Sequence, residues 1–161
     1  MTNYDIIIAG GGMVGSSLAL ALAPLGLRTA IVEPVAREAG QQPSFDDRST
    51  ALSRSTQRMF EAMGNWDAVV AASTPITSVH VSDRGRFGFA HIDADEQGVE
   101  ALGYVVINRV LGGVLQRALG AVASLDMLCP ASIVAASPGT DGVTVTLEQN
   151  GKQEAIAGKL L

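Results

Sequence analysis

Three glycines and one carboxylate carry most of the chemistry legible in this chain. Gly10, Gly12 and Gly15 follow an apolar run, Tyr4-Asp5-Ile6-Ile7-Ile8-Ala9, and Glu33 closes a second run, Arg28-Thr29-Ala30-Ile31-Val32. At this spacing each glycine has its own purpose. Gly10 permits a tight turn off a strand, Gly12 lets backbone approach a diphosphate, and Gly15 lets a helix pack closely on a strand. The unpaired N–H groups and positive dipole end of that helix then face the phosphates, with Met13 and Val14 counted among the contacts. Glu33, eighteen residues beyond Gly15, stands where a carboxylate accepts hydrogen bonds from ribose hydroxyls and repels a 2′-phosphate. The chemistry implied is binding of an adenine dinucleotide, FAD or NAD.

A glycine triplet alone is weak evidence, because such residues can simply pack a helix on a sheet, so the flanking elements must support the reading. Val14, Leu18, Leu22 and Leu25 recur at helical spacing, Pro24 ends the last turn near Ala23, and Leu25-Gly26 closes it before the next strand. Strand, turn, helix, strand and acid therefore follow in the order a dinucleotide-binding unit requires.

Composition narrows the classes further. A chain of 161 residues, 47% hydrophobic, is long enough for a sizeable core, burying roughly 70% of its unfolded surface. Eleven Lys and Arg against sixteen Asp and Glu give a net charge of −5 with no basic stripe, so nucleic acid is not an expected partner. Cys129 is the single cysteine, and His80 and His91 read as too few and too separated for a metal site. No Ser-His-Asp set or carboxylate pair occurs, and no catalytic side chain is assigned. The apolar stretch from Ile6 to Val32 follows Asp5 and is broken by glycines, serines, Pro24 and Arg28, unlike a signal peptide or membrane span. A soluble, reduced, cytoplasmic chain is expected, and association with a membrane surface is compatible with this composition.

After Glu33 a polar loop runs from Pro34 to Pro43. Leu52, Met59, Phe60 and Met63 then mark one helix face closed by Gly64, with Asp46 and Asp47 as expected N-terminal caps. Arg48, a cation near that helix start, is a candidate for cofactor phosphates, with a solvated surface arginine as the competing reading. Trp66 reads as a core plug opening a short helix at 68–72, broken by Thr74-Pro75. Ser78–Ser82 and Phe87–Ile92 alternate as a hairpin around Asp83-Arg84-Gly85-Arg86. Asp93, Asp95, Glu96 and Glu100 form a solvated loop. Val105–Arg109 leads into a helix with Val110, Leu111, Val114, Leu115, Ala118, Leu119 and Val122 on its buried stripe. The paired Gly112 and Gly113 there point to a close approach, with a simple packing reason equally open. Met127–Ala135 reads as one strand, and Val143–Leu147 and Glu154–Lys159 complete a small meander. Leu160-Leu161 reads as the cut end of a strand begun at Lys159, so an N-terminal fragment is expected.

These stretches together resemble the flavoprotein aromatic hydroxylases of the para-hydroxybenzoate hydroxylase type, and within them the ubiquinone-biosynthesis branch. The resemblance rests on Ile8–Gly15, on Phe45-Asp46-Asp47-Arg48-Ser49-Thr50-Ala51-Leu52, and most specifically on Ile76-Thr77-Ser78-Val79-His80-Val81-Ser82-Asp83-Arg84-Gly85. It implies an α/β, Rossmann-like FAD-binding domain with a small β-meander, truncated at its C-terminus and interrupted by a hairpin from a substrate domain. The implied division is 1–74, then the excursion 75–100, then 101–161. FAD is implied at Gly10, Gly12, Gly15 and Glu33, with Arg48 near ribose and pyrophosphate, Asn108 or Arg109 contacting the cofactor again, and backbone near Val134 meeting adenine. In the family NAD(P)H reduces FAD and an oxygen atom from O2 passes to a phenolic ring, here implied to be a polyprenylated methoxyphenol. Such a substrate fits a membrane-surface or multienzyme setting.

The family's later Asp-Gly and Gly-Asp motifs, and most of its substrate domain, are not in this sequence, so this stretch alone is expected to bind FAD poorly and hydroxylate nothing. Two other readings compete: an NAD-dependent dehydrogenase domain, since Glu33 suits NAD equally, and a non-catalytic nucleotide-binding module.

Overall fold

The computed structural model describes residues 2–36 and 45–161, so most of the expected loop at 34–43 lies outside the described residues. The chain opens with β1 (Thr2–Ala9), α1 (Met13–Leu22) and β2 (Thr29–Val32). It continues through β3 (Ser49–Ser53), α2 (Arg54–Ala62), α3 (Trp66–Val70), β4 (Ser73–Ile76), β5 (Ser78–Ser82), β6 (Phe89–Asp93) and β7 (Gly103–Ile107). Last come α4 (Asn108–Leu119), β8 (Leu125–Leu128), β9 (Ser132–Gly139), β10 (Gly142–Gln149) and β11 (Lys152–Leu160). Two compact units result, Met1–Asp46 with Leu111–Leu161, and Asp47–Val110.

The first unit is built on a six-stranded sheet in the order β8-β2-β1-β11-β10-β9. Its left half is parallel, with Ile6 opposite Thr29, Ala9 opposite Val32 and Thr29 opposite Leu125. Parallel strands are covered on both faces, and all four residues of β2 are buried accordingly. The right half is the expected meander, β9, β10 and β11 pairing antiparallel, and β11 then joins β1 in parallel. Tyr4, Ile7, Ala30, Val32, Val145, Leu147 and Ile156 form one core across both halves.

Polar clamps hold the strands together at the end where β1 begins. The Asp5 carboxylate accepts the Arg28 N–H at 2.9 Å and the Lys159 ammonium at 2.6 Å, joining β1 to its neighbours on either side. The Lys159 hydrogen bond first, and the Arg28 N–H second, hold the Asp5 carboxyl below its ordinary value. A depressed carboxyl stabilises the fold above the ordinary carboxylate range, and that contribution disappears as pH falls through the folded-state value. Tyr4 donates its hydroxyl to Asp126 at 3.0 Å, and burial followed by this bond raises the phenol above its ordinary value.

Two readings of this unit change. Met127–Ala135 is two strands at opposite edges of the sheet, β8 and β9, separated at Cys129-Pro130, where a proline without an N–H lies between them. Leu160 does not belong to a new strand begun at Lys159. It ends the nine-residue β11, paired with Ile6.

In the second unit β3, β7 and β4 form a sheet in the order β3-β7-β4. Leu52, expected on a helix face, lies in β3, and α2 begins only at Arg54. Its cap is Ser53, whose hydroxyl accepts the Thr56 N–H at 3.3 Å, not Asp46 or Asp47. Gly64 closes the helix with φ +70°, as expected. Thr74-Pro75 does not merely break a helix but sits in β4, an edge strand, where a residue lacking an N–H is tolerated. Trp66 is buried edge-on to Tyr104, their centroids 4.9 Å apart. The hairpin β5–β6 is present as its own two-stranded sheet, with Ser78 opposite Asp93 and Val81 opposite Ala90.

The paired glycines of α4 divide in role. A Cβ on Gly112 would fall 2.4 Å from the Phe45 ring, whereas one on Gly113 would meet only the tip of Arg117 at 3.5 Å. Gly112→Ala should therefore destabilise the protein by about 1–2 kcal/mol, because the ring must move. Gly113→Ala should stabilise it by about 0.5–1 kcal/mol through helix propensity. Urea denaturation of both variants checks the contrast.

Candidate cofactor site

The turn between β1 and α1 is held from several sides. Gly10 has φ +99°, a left-handed conformation that a Cβ would disfavour, and its N–H donates to the Val32 carbonyl at 2.8 Å. A Cβ on Gly15 would lie 2.0 Å from the Gly10 carbonyl oxygen, so helix and turn approach closer than any other residue allows. The first bond of the helix runs from the Ser16 N–H to the Gly12 carbonyl at 2.9 Å. Gly12, at the cap position, offers no side chain to the N–H groups after it. Those of Met13 and Val14 thus stand at the open end of α1, and Val14 is 85% exposed. This is the arrangement an anion needs.

Glu33 is 7% exposed, yet its carboxylate is well supplied with donors. One oxygen accepts the Gly11 N–H at 2.6 Å and the other accepts the Val35 N–H at 2.8 Å. Its own N–H reaches the Leu128 carbonyl, and its carbonyl accepts from Ala131. A carboxylate has about four acceptor positions, so two remain for hydroxyl donors such as those of a ribose. On one side Gly11, Ser16 and Glu33 close, with Leu119 and Met127, around a space of only about 10 Å³, enough for one water. A groove of about 410 Å³ opens beyond the C-terminal ends of β1 and β2, lined by Ala9, Gly10, Val32, Pro34, Ala131, Ser132 and Ile133. Ligands of open α/β sheets bind at that end of the strands. Val134 follows Ile133 and is the extra residue of a bulge in β9, between Ile133 opposite Leu147 and Ala135 opposite Thr146. The glycine turn, an anion-ready helix end, a carboxylate with spare acceptors and an adjoining groove fit the adenosine diphosphate half of an adenine dinucleotide.

Arg48, Asn108 and Arg109 belong to the second unit. Asn108 is buried, its N–H donates to the Arg48 carbonyl at 2.9 Å, and its side-chain oxygen accepts the Thr50 hydroxyl at 2.6 Å. The Arg109 guanidinium pairs with Asp47, which gives that acid its role. His80 and His91 face each other across the hairpin with ring centroids 6.3 Å apart, closer than their spacing in the chain implies. Among the described residues no group of three or more His, Cys, Asp or Glu could hold a metal ion.

Ser16, Gly11 and Thr50 were not singled out by sequence reasoning. Ser16 is completely buried and donates its hydroxyl to the Gly11 carbonyl at 2.9 Å, bracing the turn. Its signal is positional, a hydroxyl directly after the third glycine of the motif. Thr50 carries no such signal, because its partner lies 58 residues away.

A family model described as the FAD binding domain matches residues 3–160. The chain belongs to this family. That match decides what the glycines and Glu33 left open, and the nucleotide is FAD. Among curated proteins, the chain is 35% identical over 144 residues to the ubiquinone hydroxylase UbiL of Rhodospirillum rubrum, covering 89% of this chain and 33% of that one. It is 36% identical over 143 residues to the 3-demethoxyubiquinol 3-hydroxylase of Escherichia coli, covering 84% and 35% respectively. The chain therefore spans about a third of the length of these relatives. Of solved structures, the flavin-dependent monooxygenase PieE, in complex with FAD and substrate, superposes with a TM-score of 0.78 at 20% identity, over 98% of this chain and 29% of that one. The p-nitrophenol 4-monooxygenase of Pseudomonas putida gives 0.78 at 16% identity, over 99% and 40%. At such identities the likeness concerns the fold, and the expected Rossmann-like α/β domain with its meander is the fold observed. Among the described residues no helix is long and apolar enough to cross a membrane.

Gly15→Ala tests the tightness of the turn. The Gly10 carbonyl is backbone and cannot rotate away, so the added methyl should cost about 3 kcal/mol, at the upper end for overpacking. Urea unfolding measures the loss, and an unchanged midpoint would show that the helix has room to retreat.

Proposed function

We propose that this chain is the N-terminal, FAD-holding part of a flavin monooxygenase that hydroxylates a polyprenylated phenol, of the methoxyphenol type, in ubiquinone biosynthesis. NAD(P)H is the reductant and O2 the oxygen source. The observation that carries the reading is the buried Glu33 carboxylate, bonded to the Gly11 and Val35 N–H groups with acceptor positions to spare beside an open helix end. The names of the relatives supply the reaction class.

In this reading Gly10, Gly12 and Gly15 let the backbone approach the diphosphate, the N–H groups of Met13 and Val14 bind its oxygens, and Glu33 holds the adenosine ribose. Val134, at its bulge, offers backbone groups to adenine. Arg48 supplies charge to ribose and pyrophosphate, and Asn108 or Arg109 meets the cofactor again. FAD, when bound there, would supply the redox chemistry, with NAD(P)H as reductant and O2 as the oxygen source. The protein's part is orientation and exclusion of water. The hairpin within 75–100 belongs to the substrate domain, and its exposed Val81, Phe87 and Phe89 await the rest of that domain. A membrane-soluble substrate would bring the enzyme to a membrane surface or into a multienzyme complex.

The test is purification of the full-length protein, its visible spectrum, and NAD(P)H oxidation with a short-chain prenylated phenol. A flavin spectrum with one FAD per chain and a ring-hydroxylated product are expected. A colourless protein with bound NAD, or flavin without hydroxylation of any prenylated phenol, would contradict the proposal. The stretch 1–161 alone should bind FAD weakly and form no product.

A further inference from the structure

The peptide group between Gly11 and Gly12 has glycine on both sides, so backbone sterics do not fix the direction in which it points. A stiffer residue cannot supply that restraint at Gly11, where a Cβ would press on Glu33 at 3.2 Å and on the Ile31 side chain at 3.3 Å. Two side chains hold the turn instead. The Glu33 carboxylate accepts the Gly11 N–H at 2.6 Å, which fixes the peptide before Gly11. The Ser16 hydroxyl, completely buried, donates to the Gly11 carbonyl at 2.9 Å, which fixes the peptide after it. That peptide is trans, and in a trans peptide the carbonyl and the N–H of one plane point in opposite directions. With its carbonyl held toward Ser16, it turns the Gly12 N–H away from Ser16. Gly12 is half-buried, and among the described residues its N–H meets no acceptor.

We propose that Ser16 is a positioning residue for the diphosphate of the cofactor, its hydroxyl holding the Gly11–Gly12 peptide in the orientation that offers the Gly12 N–H to a phosphate oxygen. Ser16 touches no ligand and acts through this one peptide. Without the hydroxyl the glycine-flanked plane is free to rotate, and binding an anion must then order it again. The Gly11 carbonyl would also be left without a donor inside the protein, and turning the plane to find one carries the Gly12 N–H out of place. Glu33 and Ser16 thus divide the turn, the acid serving the ribose and the serine the diphosphate. This rests on the reading of the glycine turn as the seat of the adenosine diphosphate half of FAD.

The experiment measures binding of ADP and of adenosine to the deflavinated full-length protein, by competition with FAD, for wild type, Ser16→Ala, Ser16→Cys and Glu33→Gln. Ser16→Ala should weaken ADP about tenfold, the scale of one lost hydrogen bond, and leave adenosine, which has no phosphate, unchanged. Ser16→Cys keeps a weaker donor; it should fall between wild type and Ser16→Ala, and it carries the same comparison if Ser16→Ala does not fold. Glu33→Gln should weaken both ligands. A general loosening of the turn would weaken ADP and adenosine alike. That result, or an ADP affinity indifferent to Ser16→Ala, overturns the positioning role while the cofactor reading survives through Glu33. If wild type does not bind ADP, or neither ligand responds to Glu33→Gln, the cofactor reading itself fails.

Discussion

Backbone crowding at the end of β1 governs the first unit. The helix must begin so close to the strand that a methyl group at Gly15 would collide with the Gly10 carbonyl, and this closeness fixes the start of α1 against the turn. Glu33 then secures the same turn from the other side through the Gly11 N–H. One carboxylate thus ties the turn at Gly11 to the chain beyond β2 at Val35. Ser16 completes the bracing from within the helix by bonding the Gly11 carbonyl.

Rigidity at this end depends on order at the other. Asp5 joins β1 to the Arg28 backbone and to Lys159, and Tyr4 reaches Asp126 on β8. These contacts fix the mutual height of parallel strands whose opposite ends carry the groove. The meander extends the same sheet through β11, so the bulge at Val134 is joined to β1 by continuous pairing.

The parts of this organisation that were legible in the sequence depend on short-range physics. The glycine spacing, the alternation of the hairpin and the Gly64 helix end are local, and the structure contains all three. What escaped depends on partners distant in the chain. Leu52 looks helical beside Met59 and Phe60 until Tyr104 appears opposite it in a ladder. Asp47 looks like a cap until Arg109 is found beside it. The apolar run at 127–135 cannot be split by periodicity, because its halves occupy two edges of one sheet. Gly112 and Gly113 are indistinguishable in sequence, and only the Phe45 ring separates them.

The most direct measurement compares FAD with FMN in binding to the deflavinated full-length protein, for wild type and Glu33→Gln. FMN carries the flavin and one phosphate but neither the second phosphate nor the adenosine ribose. If the glycine turn and Glu33 hold that half, FAD should bind at least about a hundredfold more tightly, close to 3 kcal/mol, and Glu33→Gln should narrow the gap. Equal affinities for the two flavins, or a gap indifferent to Glu33, would contradict the assignment of this turn as the cofactor's seat.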